Sequence, residues 1–169
     1  MINEKLANAI SVQINKEMYS AYLYLAMQSY FEEENMSGFA NWMSVQVQEE
    51  MAHAMGLYNY LHERGGKVEL MTIDKPIGTW NNPLEVYEAV LAHEQYVTSL
   101  INDLADVADE VKDRAAASFL QWYVKEQVEE EANVSNILGD LNLAQNDPRA
   151  LLLLDRELAT RTFVAPVIG

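Results

Sequence analysis

The sequence of 169 residues predicts an all-α protein: a four-helix bundle with one long crossover and a short fifth helix at the C-terminus. Three observations support this. Four long stretches place apolar residues at steps of three and four, the spacing that lines one face of a helix. Only 7 Gly and 4 Pro interrupt the chain. The connections run short, long, short, which makes two antiparallel hairpins joined by one spanning link. The bundle is expected over about residues 3–143 and the fifth helix over about 148–160, within a single domain 1–169.

The first helix is expected over about 3–34, with the stripe Leu6, Ile10, Gln13 and Ile14, Glu17, Ala21, Tyr24 and Leu25, Gln28. The second is expected over about 37–64, with Ser37 as its N-cap, Gly65-Gly66 as its stop, and the stripe Phe39, Trp42 and Met43, Gln46, Glu50, His53, Leu57, Tyr60 and Leu61. Residues 65–82 are too long for a tight hairpin and suit a crossover along the bundle, with Val68-Glu69-Leu70 extended against the helices. Asn82-Pro83-Leu84-Glu85 combines an N-cap, a proline at the first helical position and an acid at the third. It opens a helix with the stripe Tyr87, Val90, Glu94, Val97, Ile101, Leu104, Ala108, Val111. A turn near Asp109–Asp113 leads to the fourth helix, whose stripe is Ala116, Phe119 and Leu120, Tyr123, Gln127, Glu130, Val134, Ile137 and Leu138, Leu141. Asp147-Pro148 starts the short fifth helix, whose leucines need a neighbour because so short a helix is unstable alone.

Composition narrows the function. No apolar run approaches the roughly 20 residues that span a bilayer, and the start, MINEKLANAISVQ, has neither the basic head nor the apolar stretch of a secretory signal. A cytoplasmic location without membrane association is expected. The absence of cysteine excludes disulfides and thiolate metal sites. A net charge of −15 repels nucleic acid and attracts cations. That charge alone reads as an ordinary soluble surface; acids inside the apolar stripes are the stronger evidence.

Each stripe carries one such acid near its middle: Glu17, Glu50, Glu94 and Glu130. An unpaired buried carboxylate costs several kcal/mol, so four at one level of a bundle imply bound cations. Helices of similar length packed side by side bring their midpoints to one level whichever way they run. Glu17, Glu50, His53, Glu94, Gln127 and Glu130 are therefore expected to meet. Glu50-x-x-His53 is one helical turn, which aims carboxylate and imidazole at one point. A carboxylate-rich set with an imidazole suits iron or manganese. Two cations about 3.5–4 Å apart can share a carboxylate. Glu50 is the expected bridge, with Glu17 and His53 completing one metal and Glu94 and Glu130 the other. Gln127, a neutral amide, suits a weak ligand or a hydrogen-bond donor. Taken singly, each acid reads as a surface acid, His53 and Tyr24 as core residues, and Glu126 and Glu129 as a solvated face. The coincidence of all four acids with helical stripes favours the metal centre.

Glu17 and Tyr24, Glu49-Glu50-x-x-His53, Glu94 and Glu126-Gln127-x-Glu129-Glu130 resemble the pattern of a ferritin, most like the prokaryotic non-haem ferritins. The resemblance covers essentially the whole chain, including the crossover and the Asp147-Pro148 helix start. It implies a ferroxidase centre at which two Fe(II) bind and are oxidised by O2 or hydrogen peroxide. Fe(III) then mineralises inside a hollow homo-oligomer of 24 subunits, with the fifth helix near a fourfold axis. It also implies that Glu49, Glu126 and Glu129, with Glu130, hold a third and more labile iron. Tyr24, beside the iron pair, would donate a hydrogen bond or an electron.

Some positions depart from neighbouring families. Where bacterioferritins repeat Glu-x-x-His on the fourth helix, this chain has Gln127-x-x-Glu130. Met51 directly follows Glu50, as the haem-binding methionine does in bacterioferritins, but the rest of the site is of the non-haem type and haem is not expected. A haem-containing iron store and a di-iron peroxide-reducing protein stand as alternatives; the second usually carries a four-cysteine iron site, which this chain lacks. Ala115-Ala116-Ala117-Ser118 has none of the acids that line animal-type pores, which leaves the route of iron into the shell open.

Overall fold

The computed structural model describes residues 1–168 and contains five helices: α1 (Glu4–Glu33), α2 (Ser37–Glu63), α3 (Pro83–Glu110), α4 (Arg114–Ala144) and α5 (Pro148–Leu158). Their starts follow local chemistry. The side chains of Asn3, Asn82, Asp113 and Asp147 accept hydrogen bonds from backbone N–H groups in the first turns of α1, α3, α4 and α5. Gly65 stops α2 at φ 70°, and Lys112 and Gln145 take the same left-handed conformation after α3 and α4. The crossover, residues 65–82, follows α1 without forming a strand. Glu69 N–H donates to Ser11 Oγ (3.3 Å), Asn15 donates to the carbonyls of Met71 and Thr72, and Trp80 meets Tyr30.

The helices pack α1 on α2, α3 on α4 and α1 on α3. A wider gap separates α2 from α4 and is spanned by side chains: Gln46 reaches Glu130 (3.1 Å) and Tyr123 OH donates to the His53 carbonyl (2.9 Å). The apolar core is split into two clusters. One, built on Phe31, Phe39, Tyr87 and Ile137, lies where α2 and α3 begin. The other, built on Leu6, Ile10, Leu57, Ile101 and Leu120, lies at the opposite end. Apart from Ser11 and Ser20, the buried polar residues among those described, Gln13, Glu17, Gln46, Glu50, His53, Glu94, Gln127 and Glu130, come from the middle of the helices, between the clusters.

Two local expectations change. On α1 the buried face passes through Leu23, Met27 and Phe31, and Leu25 is exposed, because α1 packs on both α2 and α3 and needs a broader face than one stripe. Ser37 is the first residue of α2, and its N-cap, Met36, makes no side-chain capping bond. The cap comes from α5 instead. Asp155 Oδ1 accepts from the backbone N–H of Gly38 (2.8 Å) and Phe39 (3.1 Å), which are orphan donors of the first turn of α2. Gly38 is required by this approach, since a Cβ there would overlap the Asp155 carbonyl. Leu154 and Leu158 are buried beneath α5, while Leu152 and Leu153 face outward.

Gly38→Ala is therefore expected to lower stability by about 1–3 kcal/mol through overpacking. Asp155→Ala should cost about 1 kcal/mol through the lost cap. Denaturant unfolding of the two variants checks both values.

Candidate metal centre

Glu17 on α1, Glu50 and His53 on α2, Glu94 on α3, and Gln127 and Glu130 on α4 are all 1–5% exposed. Two groups of ligand atoms form here; the second takes in Glu126 from outside this set, and neither includes Glu94. Glu17, Glu50 and His53 each present one within 4.8 Å of the others, and so do His53, Glu126 and Glu130. His53 belongs to both. Its Nδ1 lies 3.5 Å from Glu50 Oε2, and its Nε2 has no hydrogen-bond partner. The ring is set by the Tyr123 bond to its backbone carbonyl and by the edge of Trp122 (5.4 Å between centroids).

The other carboxylates are positioned by neutral donors. Gln13 Nε2 donates to Glu17 (2.8 Å) and Gln46 Nε2 to Glu130 (3.1 Å). Glu94 receives Tyr24 OH on one oxygen and Gln127 Nε2 (3.1 Å) on the other. Neutral donors fix the direction of a carboxylate without cancelling its charge. Among the described residues, no lysine or arginine is buried at this level. Glu17 Oε2, Gln46 Oε1 and His53 Nε2 are buried without partners. Buried polar atoms left in this way are costly, and a cation between the acids would satisfy the carboxylate and imidazole atoms directly. The donor set fits divalent iron.

Electrostatics agree. Burial pushes the Glu50 carboxyl well above its usual range, and the charges of Glu94, Glu17 and Glu130 add to the shift. Glu94 is raised by burial against the lowering effect of its bonds from Tyr24 and Gln127. Glu130 is raised to about 8, first by burial and then by Glu94. Burial, then the charges of Glu94 and Glu50, lifts Tyr24 well above the ordinary tyrosine range. These shifts favour the protonated carboxyls when no cation is near.

The acids expected to hold a third iron are placed less uniformly. Glu126, half-buried, joins His53 and Glu130. Glu49, also half-buried, pairs with Arg161 at 2.6 Å. Glu129 is exposed. Met51 turns away from the pocket and lines an apolar groove with Met18, Tyr22, Leu25, Val47 and Ile73. His93 bonds Ser20 Oγ (2.7 Å) and packs edge-on to Tyr24, with its pKa lowered by burial to about 4. The donors Gln13 and Gln46 stand in the sequence as polar residues on apolar stripes, but nothing local in it shows which carboxylate each one serves. Nothing local in the sequence ties Arg161 to Glu49.

A family model described as Ferritin-like domain matches residues 7–144. A bacterial non-heme ferritin of Bacteroides fragilis is 45% identical over 161 residues, spanning 95% of this chain and 100% of that relative. One from Staphylococcus aureus is 37% identical over 163 residues, spanning 96% and 98%. Among solved structures, an Archaeoglobus fulgidus ferritin engineered to a closed form superposes with a TM-score of 0.96 at 49% identity, covering 97% of this chain and 100% of that one. The open pore ferritin from the same hyperthermophilic archaeon gives 0.94 at 50% identity, covering 95% and 98%.

The raised carboxyls carry a sign. Glu50, Glu94 and Glu130 keep protons in the folded state that the unfolded chain releases near pH 4–5. Stability of the metal-free protein from these groups is thus full below that range and declines as pH rises, until Glu130 ionises near 8. Zn(II), a redox-inert probe, should reverse the decline and release protons on binding. Melting curves against pH, and calorimetry in two buffers of different ionisation enthalpy, test this. A pH-independent melt with no proton release would contradict it.

Proposed function

Because this chain belongs to the ferritin family, we propose that it stores iron by oxidising Fe(II) at an intrasubunit di-iron centre and depositing the ferric product inside a hollow homo-oligomeric shell. The observation that carries this reading is the buried cluster of Glu17, Glu50, His53, Glu94 and Glu130, in which Glu17, Glu50 and His53 present ligand atoms within 4.8 Å of one another and neutral amides orient Glu17, Glu94 and Glu130. Glu17, Glu50 and His53 form the first iron position. Glu94 and Glu130 serve the second, with Glu50 between them. Glu126, Glu49 and Glu129 form a further acidic group on the α2–α4 side.

Fe(II) is the substrate, and each ion gives one electron. Two ions side by side supply the pair that converts O2 and two protons to hydrogen peroxide, or hydrogen peroxide and two protons to water. The carboxyls release protons as the metal binds, so the pocket couples loading to a local proton supply. Gln13, Gln46 and Gln127 orient the acids, which preserves the carboxylate directions between turnovers. Tyr24 holds Glu94 through its hydroxyl. Ferric ions bind these acids only transiently before moving to the mineral, and the Gln127-x-x-Glu130 stretch, with one imidazole fewer than a second Glu-x-x-His would give, suits throughput.

The shell is proposed to contain 24 copies, with α5 and its outward leucines Leu152 and Leu153 facing other subunits. No described helix is long and apolar enough to cross a membrane. A cytoplasmic location is proposed.

The test adds Fe(II) anaerobically to apo-protein and then admits oxygen. Glu50→Ala is expected to slow ferric formation by about 100-fold or more, because it removes the shared ligand. Gln127→Ala should slow it by roughly 10-fold, as loss of an orienting partner does. Equal rates for wild type and Glu50→Ala would refute the centre.

A further inference from the structure

The acid group beside the di-iron pocket is met by a cation of the chain itself. After α5, the tail turns back along α2. Asn41 Nδ2 donates to the carbonyls of Leu158 (3.1 Å) and Arg161 (2.9 Å). The Arg161 guanidinium lies over the Trp42 ring (4.5 Å to the centroid), donates to the Trp42 carbonyl (3.3 Å) and pairs with Glu49 at 2.6 Å. Further along, Ile168 packs beside Gly56. The tail is therefore fixed on both sides of Arg161, by the docked α5 and by Ile168.

We propose that Arg161 is a built-in, displaceable counter-cation for Glu49, which competes with a metal ion for the accessory acid group and keeps that position at low affinity until iron displaces it. The inference rests on the di-iron reading of the neighbouring pocket and on Glu49 and Glu126 serving a third ion.

Three observations carry it. The guanidinium is already placed on its carboxylate by an aromatic face and a backbone carbonyl, so little order is lost in forming the pair. Among the described residues no lysine or arginine pairs with Glu126, on the opposite side of the α2–α4 gap, and it lies in a group of metal-ligand geometry with the buried His53, whose Nε2 has no partner. One of the acids expected to serve a third ion is thus neutralised from within the chain while its neighbour remains open. A divalent ion approaching Glu49 meets a fixed positive charge and must displace it or bind with one ligand fewer. Because the tail is held on both sides, a released Arg161 stays close enough to return when the ion leaves.

A purely structural staple would hold the tail without affecting metal affinity, and Zn(II) titration of the assembled full-length apo-protein separates the two roles. Wild type should bind two ions per subunit tightly and a third weakly. Arg161→Gln should leave the first two unchanged and tighten the third by about tenfold or more, and adding Glu49→Gln should erase that gain. Equal third-ion affinity in wild type and Arg161→Gln overturns the inference and leaves the di-iron reading standing. Failure of wild type to bind two ions tightly overturns both. A second measurement needs no variant. In wild-type crystals soaked in rising Zn(II), Arg161 should leave Glu49 as the third position fills, and an intact pair beside a bound third ion overturns the proposal.

Discussion

Four carboxylates cannot share a dry interior as anions. Burial and mutual repulsion raise Glu50, Glu94 and Glu130, which favours their protonated forms unless cations stand between them. The rest of the architecture serves this constraint. The core is divided into two apolar clusters, which leaves a polar level between them and supplies the burial that the charged level itself opposes. The donors at that level are amides and hydroxyls, which orient an acid while preserving its attraction for a cation.

The wider spacing of α2 and α4 follows from the same arrangement. Closely packed helices leave no room for ions between them. Here long polar side chains, Gln46 to Glu130 and Tyr123 to the His53 carbonyl, bridge the two rods in place of direct packing. That side of the bundle also carries Glu49, Glu126 and the returning tail. The α5 helix and the tail therefore contact the helix that carries Glu49, Glu50 and His53. Asp155 satisfies the start of α2, the helix that supplies Glu49, Glu50 and His53, and Arg161 follows six residues later to meet Glu49.

Most of the bundle was legible because helical periodicity is a local property of the chain. The stripes of α2, α3 and α4, the Asn82-Pro83 and Asp147-Pro148 starts and the Gly65 stop appear where residue type and spacing place them. The stripe of α1 was only partly legible: Leu25 fits the period, yet a helix with two packing partners buries Met27 and Phe31 on a broader face. Ser37 is the first residue of α2 and not its cap for a similar reason. A capping residue is normally sought just before the helix it caps, and the one used here lies more than a hundred positions away.

The sequence by itself determined the helices, the crossover and the set of acids at helix midpoints, because each depends on neighbours a few residues apart. Only the tertiary structure decided which amide serves which carboxylate, that His53 belongs to two ligand groups, and that Glu49 faces an arginine rather than standing open. Those pairings depend on the rotation and spacing of separate helices about one axis. Packing of whole side-chain layers fixes these, and the order of residues along any single helix does not encode them.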